Sequence, residues 1–284
     1  MQILTTPQEL AAQCRQWHAQ GEDIILVPTM GYYHAGHESL MEHARPRARR
    51  MVVSLFVNPT QFGPNEDLAA YPRDHERDAA IAERHGADVL FIPEDGGMYA
   101  PDHATWVEVP ELSHCLCGLS RPTHFRGVCT VVMKLFMLTQ ADKAVFGQKD
   151  WQQQAILRRM VRDLNVPVQI ETCPIVREAD GLALSSRNVY LTPEERAQAP
   201  ELQRGLQAAR ALASRGEARV KVLRDAVLVH WAEFLTLGRL DYLAVVDPES
   251  LQPVDTLEAG KPALMACAVR MGKARLLDNI LLTL

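Results

Sequence analysis

Two histidines three residues apart, His34 and His37, lie in the stretch PTMGYYHAGHESL at 28–40, directly behind the apolar run Ile24-Ile25-Leu26-Val27. A helix-like pattern follows them. Imidazoles at the mouth of a helix have three uses: metal ligands, donors to an anion, or ordinary surface side chains. The free N–H groups and positive dipole end of a helix favour an anion there. Gly31 and Gly36 allow close approach of the backbone to a ligand. A metal needs a third ligand, and helical zinc pairs more often use i, i+4 spacing. HAGH by itself does not separate these readings.

Other short segments favour the anion. GQKD at 147–150 follows the apolar stretch KAVF, and its Lys149 is a compact cation suited to phosphate. Asp150 serves equally well as a cap for the next helix or as a nucleotide contact. LALSSRN at 182–188 gathers two hydroxyls, an amide and Arg187, all good phosphate partners. Asn58, Gln61 and Gln153 are uncharged donors and acceptors fit to orient a small polar substrate, or to cap and turn the chain.

Strands alternating with helices must position these groups. Strands are expected at 24–27, at MVVSLFV (51–57), at ADVLFIP, at KAVFG (143–147) and at VPVQIETCP. Helical patterns cover 38–50, 74–85, 125–139 and 151–164, and Pro46 should kink or stop the first of them. This alternation predicts an α/β fold with a doubly wound parallel sheet. Ligands then bind at the carboxyl ends of the strands near a switch point. PTMGYYHAGH, NPTQF and GQKDWQQ each follow a strand, so three polar strand ends are expected on one crevice. After about 175 the pattern changes. LTPEER starts a helix with Thr192 as N-cap, two long helical patterns follow, and DYLAVVD, ALMACAV and ARLLDNI read as short strands. The expected domains are 1–175 and a smaller C-terminal α+β domain, 176–284.

Bulk composition excludes several classes. The 284 residues are 47% hydrophobic and 23% charged, with a net charge of −5, which does not suit a nucleic-acid protein. The one dense basic run, ARPRARR at 44–50, reads as a solvated helix face. No apolar stretch approaches the roughly 18 residues of a membrane span. The start, MQILTTPQEL, lacks the features of a secretory signal. The six cysteines are scattered, with no CxxC pair, as expected for reduced thiols in a cytoplasm.

The ordered set PTMGYYHAGH, VSLFVNPTQF, YPRD, SRPTHFRGVCTVVMKLF, FGQKDWQQ, DGLALSSRNVYL and ARLLDN closely resembles the pantoate–β-alanine ligase (pantothenate synthetase) family over nearly the whole chain. HxGH alone is shared with other nucleotidyltransferases and class I aminoacyl-tRNA synthetases. The chain departs from the family at Tyr33, usually Leu, and at Pro46. The resemblance implies a Rossmann-like first domain and a C-terminal lid. It implies condensation of pantoate with β-alanine through a pantoyl adenylate, giving pantothenate, AMP and pyrophosphate. ATP is then a substrate and Mg²⁺ enters with it, without a protein metal site.

By resemblance, Met30, Gly31, Tyr32, Tyr33, His34, Ala35, Gly36 and His37 line the ATP site, with both histidines on its phosphates. The family role of His37 is proton donor; carboxylate attack on phosphorus needs no base, so a stabilising donor is the expectation. Gly147, Gln148, Lys149 and Asp150 contact ATP, with Lys149 on phosphate and Asp150 on ribose. Val176 meets adenine through its backbone. Leu184, Ser185, Ser186 and Arg187 close over the phosphates. Gln61 and Gln153 hold pantoate, with Asn58 beside them. His37, His34 and Lys149 are the expected catalytic residues, and a cytoplasmic homodimer is implied. The alternatives are another HxGH nucleotidyltransferase, a metal-dependent hydrolase and a non-catalytic nucleotide-binding module.

Overall fold

The computed structural model describes every residue except Asn65 and Asp95. The chain forms two compact units. The first comprises Met1–His114, Arg121–Gln148 and Ile156–Pro174; the second comprises Cys115–Ser120, Lys149–Ala155 and Ile175–Leu284.

In chain order the first part runs β1 (Gln2–Leu4), α1 (Pro7–Ala19), β2 (Ile24–Thr29), α2 (Ala35–Ala44), β3 (Arg50–Leu55), α3 (His75–Arg84) and β4 (Val89–Phe91). Two single-turn helices follow, α4 (Pro110–Ser113) and α5 (Cys117–Ser120). Then come α6 (His124–Thr139), β5 (Lys143–Gly147), α7 (Trp151–Asp163) and β6 (Gln169–Cys173). The six strands form one sheet in the order β1-β4-β3-β2-β5-β6, and every pairing is parallel. Ile24, Ile25, Leu26 and Val27 are all fully buried, as a central strand covered on both faces requires. From β2 the chain winds to β3 on one side; from β5 it winds to β6 on the other. The switch point therefore lies between β2 and β5, where Met30–His37 and Gly147–Gln148 emerge.

The helix expected over 38–50 is shorter. It ends at Ala44, and Arg45–Arg47 form a 3₁₀ turn, because Pro46 supplies no N–H to continue the ladder. The basic run is a solvated face only in part: Arg47 and Arg49 are exposed, but Arg45 and Arg50 are anchored. Arg45 donates to the Gly86 carbonyl and to Asp88, and Arg50 pairs with Glu22 and Asp88 while its guanidinium lies over Trp17. Besides the single-turn helices α4 and α5, two elements of the first part had no sequence expectation. β1 is three residues long and pairs with β4. α1 opens on Thr6 with a capping box to Glu9.

The second unit holds α8 (Pro193–Gln198), α9 (Glu201–Ala213), α10 (Val220–Phe234) and the antiparallel sheet β7 (Gly238–Val246), β8 (Ala263–Met271) and β9 (Ala274–Leu282). Thr192 caps α8 with a reciprocal box to Glu195, as its sequence position predicts. Ala274, Leu276, Ile280 and Leu282 of β9 enter a core with Leu202 and Leu206 of α9 and Leu223, Val227 and Trp231 of α10. Gly205 makes that packing possible: a Cβ there would sit 2.2 Å from the Trp231 indole nitrogen. Alternate β9 residues face the other way. Arg275 pairs with Asp241 and touches Cys117, which helps tie the 115–120 segment to this unit. Among the described residues, no helix is long and apolar enough to cross a membrane.

Candidate active site

The loop from β2 to α2 is built from two successive left-handed residues, Gly31 at φ +87° and Tyr32 at φ +52°. A non-glycine residue in that region needs support. Asp78 of α3 provides it: its carboxylate accepts the Tyr32 N–H at 2.6 Å and the Tyr33 N–H at 2.8 Å. Asp78 is fully buried, and burial raises its carboxyl above the usual carboxylate value against the pull of those two amides. Arg77 adds a bond from its guanidinium to the Tyr33 carbonyl and lies over the Tyr32 ring. A Cβ on Gly31 would come within 3.0 Å of Asp78 Oδ2. Tyr33, the departure from the family pattern, is a core residue 1% exposed, its hydroxyl 3.2 Å from Thr29 Oγ1.

His34 is the N-cap of α2. Its Nδ1 accepts the Gly36 N–H at 3.1 Å, and His37 Nδ1 accepts the His34 N–H at 3.3 Å. In a neutral imidazole one nitrogen accepts and the other carries the proton. Both rings therefore carry their proton on Nε2, and each presents an N–H donor there. Their centroids are 4.1 Å apart. The same rings thus cap the helix and arm its entrance with donors. Among the described residues no group of three His, Cys, Asp or Glu side chains is arranged to hold a metal ion.

At the next strand end, Asn58 is buried and caps the Pro59–Gln61 turn through Thr60. Its Nδ2 donates to Gln61 Oε1 at 3.1 Å and to the Gly127 carbonyl at 3.1 Å. Asn58 is thereby a holder of Gln61. Gln61 Nε2 lies 2.9 Å from Met30 Sδ, which brings the ends of β3 and β2 together. The Gln61 carbonyl accepts from His124 Nδ1 and from Arg121, whose guanidinium is also paired with Glu66. Gly127 of α6 lets the turn lie against the helix: a Cβ there would be 2.5 Å from the Thr60 carbonyl oxygen and 2.7 Å from Gln61 Cα.

The remaining sequence-predicted residues divide at Gln148. Gly147 ends β5 with open space where its Cβ would be. Lys149, Asp150, Gln153, Val176 and Leu184–Arg187 belong to the second unit. Lys149 Nζ is 4.0 Å from Asp150 Oδ2. The Leu184 N–H donates to the Val176 carbonyl at 3.0 Å, so those two positions are neighbours. Ser185 caps the turn Ser186–Tyr190 by accepting the Arg187 N–H. The sequence reading missed the residues that hold the others: Asp78, Gly127, Arg121 and His124. YPRD, just before α3, was the one local mark near Asp78.

Comparison with known proteins places the chain in a family. The profile of the family described as Pantoate-beta-alanine ligase matches residues 2–281. The chain is 73% identical to the pantothenate synthetase of Desulfovibrio desulfuricans over 282 residues, 99% of both chains. It is 62% identical to that of Nitratidesulfovibrio vulgaris, again over 99% of both. A crystal structure of the enzyme from Thermus thermophilus superposes with a TM-score of 0.92 at 47% identity, covering 99% of each chain. The pantoate–β-alanine ligase of Francisella tularensis, solved with a β,γ ATP ligand and β-alanine, superposes with a TM-score of 0.81 at 31% identity, covering 99% of this chain and 97% of that one. The chain therefore belongs to the pantoate–β-alanine ligase family, enzymes that make pantothenate from pantoate and β-alanine.

Proposed function

We propose that the chain joins pantoate to β-alanine in two steps through a pantoyl adenylate, consuming ATP and releasing pyrophosphate and AMP. A pantoate carboxylate oxygen attacks the α-phosphorus and pyrophosphate leaves. The β-alanine amine then attacks the acyl carbon, and AMP leaves with one former carboxylate oxygen. Neither step needs a covalent nucleophile from the protein; positioning and charge stabilisation suffice. The observation that carries this reading is the pair of Nε2–H donors fixed at the start of α2, a helix end already suited to anions.

His34 and His37 are assigned to the ATP phosphates as hydrogen-bond donors, and Lys149 as a cation on developing phosphate charge. Met30–Gly36 and Gly147–Gln148 supply main chain to the nucleotide, Asp150 its ribose contact, and Val176 an adenine contact. Leu184–Arg187 add phosphate donors. Gln61 is assigned to pantoate, steadied by Asn58, with Gln153 as a second amide. Mg²⁺ is assigned to the ATP phosphates, which supply hard oxygen ligands without a protein cage. The working form is assigned as a cytoplasmic homodimer.

Given ATP, Mg²⁺ and pantoate without β-alanine, the protein should exchange labelled pyrophosphate into ATP. Oxygen label in the pantoate carboxylate should appear in AMP once β-alanine is added. ADP as product, or AMP without label, refutes the adenylate route.

A further inference from the structure

ARLLDN is one family-like segment that the assignments above leave without a role. It lies on β9, where Asp278 and Asn279 are each only 2% exposed. Asp278 stands in the row that otherwise carries Ala274, Leu276, Ile280 and Leu282 into the hydrophobic core. A carboxylate there needs strong partners. It has them in Arg177, whose Nη1 and Nη2 reach its two oxygens at 2.6 and 2.8 Å. The same guanidinium donates to the Gly181 carbonyl at 3.0 Å. Arg177 also bridges Ala183, and Leu184 bonds back to Val176. One buried carboxylate thus fixes the turn whose two arms carry Val176 and Leu184.

Asn279 faces the opposite side of the strand. Its Nδ2 donates to the Lys149 carbonyl at 3.0 Å. Its own N–H donates to Asp278 Oδ1 at 2.7 Å. Neighbouring residues of a sheet strand therefore hold two separate segments assigned to ATP, one through an arginine and one directly. An amide in a nearly dry setting is a directional donor, costly to leave unpaired. A carboxylate in a core row with a buried amide beside it on the other face is poor packing unless the two fix something.

We infer that Asn279 is a positioning residue for the first half-reaction, setting the main chain from which the Lys149 ammonium projects, with Asp278 doing the same for the Val176–Leu184 turn through Arg177. This inference rests on the assignment of Lys149 to phosphate. Asn279→Asp keeps the size but removes the donor and turns an oxygen toward the Lys149 carbonyl. It should slow pantoate-dependent pyrophosphate exchange on the order of ten- to a hundredfold at saturating ATP, as expected when a reacting group is misplaced by about 1 Å. The ATP KM should change less than the turnover.

The test is a cycle of Asn279→Asp, Lys149→Ala and the double variant, each with a thermal melt. If Asn279 acts through Lys149, the double variant is no slower than Lys149→Ala alone. Multiplying effects, or full exchange activity in Asn279→Asp, overturns the inference while leaving Lys149 in place. Full activity in Lys149→Ala overturns the phosphate assignment itself, which that single variant reveals. If Asn279→Asp melts below the assay temperature, Asn279→Ser, too short to reach the carbonyl, carries the same comparison.

Discussion

Gly127→Ala is the sharpest single change available in the first unit. The new methyl would lie 2.5 Å from the Thr60 carbonyl oxygen, 2.6 Å from the Thr60 carbonyl carbon and 2.7 Å from Gln61 Cα. These are backbone atoms, so no side chain can swing aside. Ordinary van der Waals contact lies near 3.5 Å, so the Pro59–Gln61 turn must retreat from α6 by about 1 Å. Overpacking of this kind costs about 1–3 kcal/mol. In a chain of this size that lowers Tm by roughly 2–4 °C per kcal/mol, so a fall of about 2–12 °C is expected. The retreat also stretches the bond from Asn58 to the Gly127 carbonyl and carries Gln61 with it. On the proposed assignment of Gln61 to pantoate, a displacement of about 1 Å is worth up to a hundredfold in rate. Calorimetry and steady-state kinetics with pantoate varied at saturating ATP would measure both effects. A variant with unchanged Tm and unchanged kcat/KM for pantoate would refute the argument, since the turn would then have had room to spare.

Gly147→Ala should behave in the opposite way. Its Cβ meets open space, so Tm should move by less than about 1 °C, while ATP use falls if the nucleotide backbone passes close to it; unchanged ATP kinetics would remove Gly147 from the site. His37→Ala should slow pyrophosphate exchange on the order of a hundredfold, as for loss of one preorganised donor. ¹⁵N spectra of the wild type should show His34 and His37 protonated on Nε2, and an Nδ1–H tautomer would contradict the cap geometry. Asp88 gives a pH effect. Burial pushes its carboxyl up, but the Met51 N–H and the Arg45 and Arg50 guanidinium groups outweigh burial and hold it below its ordinary value of 3.8. Its stabilising contribution is therefore present above about that pH and lost as pH falls through the lower folded value. The Tm gap between wild type and Asp88→Asn should be wide at pH 7 and narrow toward pH 3; a gap independent of pH would show that the charge is not what matters.

The parts legible in the sequence were those with a period or a local chemical signature. The all-apolar run at 24–27, the KAVFG strand and the Thr192 cap each carry their own signal, and each forms as read. β1 was illegible because three residues have no period and its partner β4 lies far along the chain. Thr6, Pro7 and Glu9 do mark the start of α1, but the polar helix behind them hides the apolar stripe of Leu10, Cys14 and Trp17. Among the candidate site residues, the histidines, the lysine and the amides stood out by type. Their supports did not. Asp78 is one acid in a charged helix, and its partners Tyr32 and Tyr33 precede it by some 45 residues. Gly127 looks like a weak point in a helix until the turn it admits is known. Such long-range fits have no local pattern, so only the folded chain displays them.

The two Nδ1 atoms at the start of α2 have a consequence for the protons the rings carry. A free imidazole distributes one proton between two nitrogens, but the cap has removed that choice from both rings. The proton of each ring thus has a single address, Nε2, and the cap and the outward donor cannot be lost separately: a change that frees either Nδ1 from its backbone N–H also lets that ring's proton leave Nε2.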